Sequence, residues 1–336
     1  MEPGSAGLRR SGAAQPAQIV HPDTRERGIN HLMRYRRFAP LGRDLSVLVL
    51  GTVVYRAVDP GDVSLELLDA WVELGGNLID TGREYGTSEA TIARWLAERG
   101  IGEDVVVLTK GAHQDARRKR VTPADITADL DESRRVLGLD RIELYLLHRD
   151  DPSQPVGPIL EVLNEHRAAG RIGAFGASNW TTARLDEARE YGERHGLEGF
   201  SCSSPALSLA TQNEPPWPDC VSASDEESRA WYARTGMPLF AWSSQAAGFF
   251  AGVRDAEVER VYGNDANRER LRRATELARR KGCNANQVAI AWVLDQPFPT
   301  WALIGPRTVA ELRGSVAALE VSLSPDEHKW LALGGP

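Results

Sequence analysis

Four side chains that could carry out acid–base chemistry lie at or just after short apolar runs. Asp80, Lys110 and His148 each follow such a run directly, and Tyr85 comes five residues after Asp80. A lysine cation near a tyrosine lowers the phenol pKa from its usual value of about 10, and a carboxylate offsets the cost of burying that lysine. Together with a histidine that orients a carbonyl oxygen, the group fits a general acid that protonates an oxygen while another agent supplies hydride.

Each of these residues also has a more ordinary interpretation. A lysine at a strand end is often a solvated charge, a histidine there is often structural, and a loop tyrosine usually packs. Four such residues with matched chemistry at one site are harder to explain as packing alone. A second enzymatic reading uses Lys110 as a Schiff-base amine, but Asp80 and Tyr85 fit the proton-donor reading better.

The elements that must position these residues alternate between apolar strands and amphipathic helices. This alternation predicts a parallel sheet covered on its outer face. Eight units favour an α/β fold of the (β/α)8 TIM barrel type, in which all strand ends with catalytic residues meet at one rim. An open doubly wound sheet is the alternative, but no GxGxxG motif follows the first strand. The strands are predicted at 45–50, 78–79, 105–108, 142–147, 172–175, 200–204, 238–242 and 301–304.

Three segments do not belong to this alternation of strands and helices. Residues 1–32 have the composition of a flexible tail, so a single barrel domain is expected over residues 33–336, beginning with an N-terminal β-hairpin. Residues 210–224 form an insertion after strand six, and residues 249–266 are also too long for a plain connection. Both follow strand ends, where long ordered loops are often functional.

The composition narrows the function class. The chain has 336 residues, 42% hydrophobic and 26% charged, with a net charge of −7. This balance gives no reason to expect nucleic acid or an anionic membrane as a partner, and no apolar run is long enough to span a bilayer. The 3 cysteines show no CxxC spacing, which predicts reduced thiols in a cytoplasmic protein and no metal site.

An ordered set of short motifs runs along the chain from about Tyr35 to Leu319. The motifs are Leu50-Gly51-Thr52, Gly76-Asn77-Leu78-Ile79-Asp80-Thr81, Tyr85-Gly86, Ser88-Glu89, Leu108-Thr109-Lys110, Leu144-Tyr145-Leu146-Leu147-His148, Gly170-Arg171-Ile172, Gly176-Ala177-Ser178-Asn179, Ala241-Trp242-Ser243 and Ile304-Gly305-Pro306-Arg307. With these motifs in this order, the chain resembles the aldo-keto reductase family. The resemblance implies that the catalytic tetrad of that family falls on Asp80, Tyr85, Lys110 and His148.

The resemblance also implies a nicotinamide cofactor, NADP with NAD possible, bound extended across the rim. Trp242 would stack on the nicotinamide, and Arg307 would contact a 2′-phosphate. Ser178 and Asn179 would hold the carboxamide, and both could also cap the following helix. The implied cofactor residues are Gly51, Thr52, Ser178, Asn179, Ser204, Trp242, Ser243, Ser244, Gln245, Gly248, Gly305, Arg307, Glu311 and Ser315.

Several positions depart from the family pattern. Ser204 replaces a carboxamide-binding glutamine, and Glu311 places a carboxylate near the implied 2′-phosphate, which leaves the choice between NADP and NAD open. Tyr55, Trp180 and Phe249 are the expected substrate contacts. Four aromatic residues either line the substrate pocket or pack the insertion onto the barrel: Trp217, Trp231, Phe249 and Phe250.

The expected function is therefore an oxidoreductase that interconverts an aldehyde, ketone or sugar carbonyl and an alcohol by hydride transfer with NAD(P)H. Its partner is a small carbonyl or alcohol substrate, and the expected state is a monomer or a small homo-oligomer. The rival reading is a regulatory module that binds the cofactor without useful turnover, as some members of this family do. The intact tetrad favours the enzyme.

Overall fold

A computed structural model describes residues 33–53 and 63–334. Eight parallel strands close into a barrel in the order β10-β3-β4-β5-β6-β7-β8-β9, and an antiparallel hairpin of β1 and β2 precedes them. The predicted (β/α)8 TIM barrel and its N-terminal hairpin are confirmed, and the open sheet is ruled out. The strands are β1 (Tyr35–Phe38), β2 (Arg43–Ser46), β3 (Leu48–Gly51), β4 (Leu78–Asp80), β5 (Val106–Gly111), β6 (Ile142–Leu147), β7 (Ile172–Ser178), β8 (Ser203–Ser204), β9 (Leu239–Ala241) and β10 (Thr300–Ile304).

Helices cover the outside of the barrel and bury apolar faces against it. Burial of each large aliphatic or aromatic side chain contributes about 1.5–3 kcal/mol. Within the described ranges, none of the helices is long and apolar enough to cross a membrane. The helices are α1 (Ser64–Glu73), α2 (Ser88–Arg99), α3 (Pro123–Leu137), α4 (Val156–Ala168), α5 (Thr182–His195), α6 (Glu226–Thr235), α7 (Ala256–Tyr262), α8 (Asp265–Lys281), α9 (Ala285–Leu294), α10 (Val309–Val316) and α11 (Pro325–Leu333).

The hairpin closes the barrel at the end where the strands begin. Phe38 packs edge-on against Phe240 and Trp301, with ring centroids 5.7 Å apart in both pairs. Arg36 adds a hydrogen bond to the carbonyl oxygen of Thr300 at 3.0 Å. Because this end is filled by apolar side chains, the opposite rim is the one available for chemistry.

Contacts next to Gly76 set the position of β4 and therefore of Asp80. A Cβ atom at Gly76 would lie 2.0 Å from the ring of Trp71, so only glycine allows α1 to pack this closely. The Asn77 side chain accepts a hydrogen bond from the Ser46 amide at 2.8 Å and donates one to the Asp44 carbonyl at 2.9 Å. These bonds tie the start of β4 to the hairpin.

Two sequence expectations are wrong. The run 45–50 is not one strand, because its first residues complete the hairpin as β2 and only the later ones form β3. The segment 249–266 is not a long ordered loop, because it contains α7 and the start of α8. Asp255 and Asn264 accept hydrogen bonds from backbone amides inside these helices, both at 2.8 Å, so two N-cap signals were overlooked. The predicted tail at residues 1–32 lies outside the described residues.

Candidate active site

The four candidate catalytic residues meet at the rim formed by the carboxyl ends of β4, β5 and β6. Lys110 Nζ forms a buried ion pair with Asp80 Oδ1, and it donates a second hydrogen bond to the Thr81 carbonyl oxygen at 2.9 Å. The Tyr85 hydroxyl lies 3.4 Å from the same ammonium group. The pairing expected from the sequence is present, and Lys110 links the carboxylate to the phenol.

Lys110 remains a cation in this environment. Burial disfavours its charged form, but Asp80 and Tyr85 outweigh burial and raise its pKa. The side chains of Lys110 and Asp80 are 3% and 5% exposed, so water screens their interaction very little. The pair therefore presents a fixed positive charge to the phenol.

Tyr85 is a half-buried phenol held between a cation and an imidazole. Its ring lies nearly perpendicular to that of His148, with centroids 5.5 Å apart. Burial raises the pKa of Tyr85, and the nearby Lys110 is the largest opposing influence. Lys110 acts in the expected direction, but burial dominates because it disfavours the phenolate. Tyr85 consequently keeps a proton that it can give to a substrate.

His148 is a neutral imidazole at this rim. Burial, followed by the charges of Lys110 and Arg149 and by His113, holds the pKa of His148 well below its usual value of 6.5. Its Nδ1 atom is buried and has no hydrogen-bond partner. A buried polar atom without a partner calls for an explanation, and a ligand that completes it would fit a binding site.

The loop that carries Tyr85 is fixed from behind. The Arg83 amide donates to the Lys110 carbonyl at 3.0 Å. Its guanidinium contacts the carboxylates of Glu84 at 2.6 Å and Asp129 at 3.4 Å. Arg83 and Glu84 lie between Asp80 and Tyr85 in the sequence, and either reaching the substrate or tying the loop down is compatible with that position. The structure shows the second arrangement, because Asp129 belongs to α3 behind the rim.

A polar network continues the rim across β6, β7 and β8. Asn179 Nδ2 donates to the His148 carbonyl at 3.2 Å, and Ser178 Oγ donates to the Ser204 carbonyl at 2.8 Å. Thr181, not Ser178 or Asn179, caps α5. The helix-cap interpretation of these two residues is therefore wrong, and their side chains instead face the rim network.

The loop after β9 has a strained backbone where the cofactor phosphates are expected. Ser243, Ala246 and Ala247 have φ values of 54°, 48° and 51°, and Gly248 has 87°. Left-handed φ angles at residues other than glycine cost about 1–3 kcal/mol each and occur preferentially at functional sites. The predicted stacking residue Trp242 precedes them, and its indole nitrogen is buried without a partner.

Gln245 joins the loops that follow β9 and β10. Its Nε2 lies 3.4 Å from Ser315 Oγ, and its Oε1 accepts a bond from the Gly305 amide at 3.3 Å. Glu311 accepts a bond from the Arg307 amide at 2.7 Å. This part of the predicted cofactor set is brought together, and Glu311 places its carboxylate at the N-terminal end of α10.

The remaining predicted cofactor residues lie beside this group. The hydroxyl of Thr52 donates to the Asp80 carbonyl at 2.8 Å, and Ser244 Oγ donates to the Leu303 carbonyl at 2.5 Å. A Cβ atom at Gly51 would lie 3.1 Å from a carbonyl oxygen of β10. The strained backbone after β9 and the unpaired indole N–H of Trp242 fit a polar ligand, and the role of these residues in holding an extended nicotinamide dinucleotide stays a prediction.

Of the three predicted substrate residues, one lies outside the described residues and two are buried. Tyr55 lies outside the described residues. Trp180 is buried and donates to the Arg149 carbonyl at 3.2 Å. Phe249 is fully buried, with the Arg254 guanidinium 4.4 Å above its ring. Trp180 and Phe249 make packing contacts, and a substrate role for either stays a prediction.

Trp217 differs from the other aromatic residues considered near the insertion. Trp231 and Phe250 are buried, which supports the packing interpretation for both. Trp217 is 58% exposed, although its ring centroid lies 6.2 Å from that of Trp242. The insertion that carries it is anchored by an ion pair between Lys119 and Asp219 at 3.1 Å. Trp217 is thus an exposed aromatic surface at the rim.

Sequence reasoning missed two residues at the rim. His113 follows β5, and its ring lies 4.8 Å from that of His148. Arg149 directly follows His148 and is buried beside it. Their positions just after strand ends were a usable signal. Among residues 33–53 and 63–334, no three His, Cys, Asp or Glu side chains form a group that could hold a metal ion.

Comparisons with known proteins point to one family. Residues 48–332 match the model of the aldo/keto reductase family. An uncharacterized oxidoreductase, YrpG of Bacillus subtilis, is 27% identical over 89% of this chain and 95% of its own length. The norsolorinic acid reductase stcV of Emericella nidulans is 30% identical over 88% and 80%. The aldo-keto reductase YhdN of Bacillus subtilis is 26% identical over 88% and 92%.

Proposed function

Because this chain belongs to the aldo/keto reductase family, we propose that it is an NAD(P)H-dependent oxidoreductase that interconverts a carbonyl and an alcohol, with Tyr85 as the proton donor. One observation carries the proposal. Lys110 Nζ contacts both the Asp80 carboxylate and the Tyr85 hydroxyl in a buried site. A fixed cation next to a neutral phenol is the arrangement needed for proton donation to an oxygen.

The chain's own residues account for the proton side of the reaction. A bound nicotinamide nucleotide supplies the hydride that the carbonyl carbon receives. Tyr85 gives its phenolic proton to the carbonyl oxygen, and Lys110 stabilises the phenolate that remains. Asp80 holds Lys110 in place. His148, being neutral, donates a hydrogen bond that orients the carbonyl oxygen without placing a second cation at the site.

The residues near α10 bear on the choice of cofactor. A 2′-phosphate would bind at the helix N-terminus, close to Arg307. The Glu311 carboxylate already accepts a bond from the Arg307 amide, so a phosphate there must displace or tolerate a like charge. We therefore expect NADP to be accepted with NAD as a close competitor, separated by less than about tenfold in affinity.

The exposed tryptophan favours a flat substrate. Trp217 is 58% exposed and contacts Trp242 at a tilt of 43°, so it offers an aromatic face beside the catalytic rim. Aromatic rings pack well against such faces in offset or edge-on arrangements. An aryl aldehyde or aryl ketone is the substrate class that this surface fits best.

Titration with NADPH and NADH, followed by measurement of cofactor oxidation with aryl aldehydes, aryl ketones and sugars, tests the proposal. Quenching of tryptophan fluorescence reports binding, because Trp242 lies at the implied nicotinamide site. Binding followed by oxidation with at least one carbonyl class is expected. Tight binding without oxidation across the panel would point to the regulatory module, and absence of binding by both nucleotides would overturn the proposal.

A further inference from the structure

Arg149 is a buried cation at the catalytic rim. The residue is 6% exposed. Its Nη1 donates to the His148 carbonyl at 3.2 Å, and its own carbonyl oxygen accepts the indole N–H of Trp180 at 3.2 Å. These bonds fix the residue in place. The Nε atom is buried without any partner, and no carboxylate of the described residues forms an ion pair with this guanidinium.

Other rim cations that are buried or half-buried do have acidic partners. Asp150, the residue after Arg149, directs its carboxylate to Arg184 at 3.1 Å instead. Burying a cation without a partner is costly, so the unmatched charge of Arg149 requires an explanation. The paired cations are Lys110 with Asp80, Lys119 with Asp219, Arg120 with Asp129, and Arg184 with Asp150.

The guanidinium lies between the catalytic residues and the insertion. After burial and Lys110, its charge contributes to the low pKa of His148. Burial raises the pKa of Tyr85 and of Cys220, and Arg149 opposes burial at both. Cys220 follows Trp217 in the insertion, and its amide donates to the Trp217 carbonyl at 3.3 Å. Arg149 and Asn179 donate to the same His148 carbonyl oxygen, and Asn179 accepts a bond from the Val221 amide of the insertion at 3.2 Å. Arg149 therefore lies between the catalytic histidine and the insertion.

The cofactor phosphates are expected on the other side of the barrel. In the closed strand order, β6 lies three strands from β9 and four from β10. Arg149 follows β6, whereas 243–248 and Arg307 follow β9 and β10. The pyrophosphate and 2′-phosphate are thus not the missing partners.

We propose that Arg149 binds an anionic group of the substrate, a carboxylate or a phenolate, and so determines specificity for acidic aryl carbonyl compounds. The edge formed by Nε and Nη2 makes no bond to the described residues, and this edge matches a carboxylate in a two-bond arrangement. The exposed aromatic face of Trp217 would hold the ring that carries the acid. The inference rests on the proposed function, since it names the substrate class of the same site.

Paired substrates test this role. We expect the wild type to prefer 4-carboxybenzaldehyde over 4-methylbenzaldehyde by about tenfold or more in kcat/KM. In Arg149→Met the preference should fall to about one, because KM should rise for the acid more than for the neutral aldehyde. Arg149→Lys should keep part of the preference, because it retains charge but loses the two-bond edge. Arg117→Met, which removes an exposed charge from the neighbouring loop, is the matched control and should keep the preference.

A binding measurement separates this inference from the proposed function. Calorimetry should show that benzoate binds the wild type more tightly than benzamide does, and that Arg149→Met weakens only benzoate, by about tenfold. Equal binding of benzoate and benzamide by the wild type would overturn the inference. So would an equal loss of the acidic and neutral aldehydes in Arg149→Met, which would show a purely structural role. Benzoate selectivity without turnover of any carbonyl would overturn the proposed function and leave the Arg149 site standing.

Discussion

Two buried cations lie at the ends of neighbouring strands, and only one of them has an acidic partner among the described residues. Lys110, in β5, is paired with Asp80 inside the protein. Arg149, just after β6, has a backbone carbonyl as its hydrogen-bond partner and no acid among the described residues. A charge that the protein neutralises itself can act as a fixed part of the proton-donating machinery. A charge left without a partner is available to a ligand. The paired Lys110 would thus serve catalysis, and the unpaired Arg149 would serve substrate selection at the same rim.

The largest expected effect is that of Lys110→Met. This change leaves the Asp80 carboxylate buried without a partner, which typically costs about 3–5 kcal/mol in the free energy of unfolding. It also removes the cation beside Tyr85, so kcat should fall by about 10²–10⁴-fold. Chemical denaturation and steady-state kinetics measure the two effects. Near-wild-type stability would show that the ion pair does not hold Asp80 as described.

The opposite stability result is expected for Arg149→Met without substrate. Since the change removes a buried charge that has no acidic partner, the free energy of unfolding should stay within about 1 kcal/mol of the wild type or rise. The same denaturation series measures it. A loss as large as that of Lys110→Met would erase the contrast between the two cations and point to an acid that pairs with Arg149.

A smaller effect is expected at the cofactor side, where Glu311 places an acid next to the implied phosphate site. Glu311→Gln keeps a side chain that can accept the Arg307 amide bond but removes the charge. NADPH affinity should improve by about tenfold, and NADH affinity should change little. Fluorescence titration with both nucleotides decides this. Equal changes for both would place Glu311 away from the 2′-phosphate.

The protonation of His148 makes the stability of the protein depend on pH, and both cations affect that protonation. Its pKa in the folded protein is depressed by burial and then by Lys110 and Arg149. A depressed histidine pKa contributes stability that is present above about pH 6.5 and is lost as pH falls toward the folded-state pKa. His148→Gln should therefore show a flatter decline of Tm below pH 6.5 than the wild type. An equal decline of Tm with falling pH in the two proteins would count against a neutral buried His148.

The smallest effect is expected for Trp217→Ala. This side chain is 58% exposed and its ring contact is with Trp242, so stability should be unchanged within about 1 kcal/mol. Loss of one aromatic face should raise KM for aryl aldehydes about threefold to tenfold and leave small aliphatic aldehydes unaffected. Steady-state kinetics with both classes provide the test, and Trp231→Phe serves as a buried aromatic comparison. An equal change for both classes would remove Trp217 from substrate selection.

The sequence predicted those features that depend on strand ends. Apolar runs located Asp80, Lys110 and His148, and closure of the barrel brought them to one rim, because parallel strands share a direction. The same reasoning passed over Arg149, one residue further along. Whether a cation at a strand end is paired depends on side-chain direction, and Asp150 illustrates the point by turning toward Arg184.

Other features required the folded chain. The cap interpretation of Ser178 and Asn179 failed because Thr181 is better placed to begin α5. The pKa of Tyr85 depends on how far burial outweighs the charge of Lys110. That depends on how deeply the loop packs, which no local sequence pattern predicts. The prediction of a loop over 249–266 is wrong because Asp255 and Asn264 cap helices there.

The most direct test of the central claim is Tyr85→Phe, which removes one hydroxyl and keeps the ring. We expect a loss of about 10²–10⁴-fold or more in kcat, with NADPH affinity within about twofold of the wild type, because the hydroxyl serves proton transfer and not cofactor binding. Single-turnover oxidation of bound NADPH with an aryl aldehyde measures the chemical step itself. Turnover at the wild-type rate in this variant would contradict the assignment of Tyr85 as the proton donor.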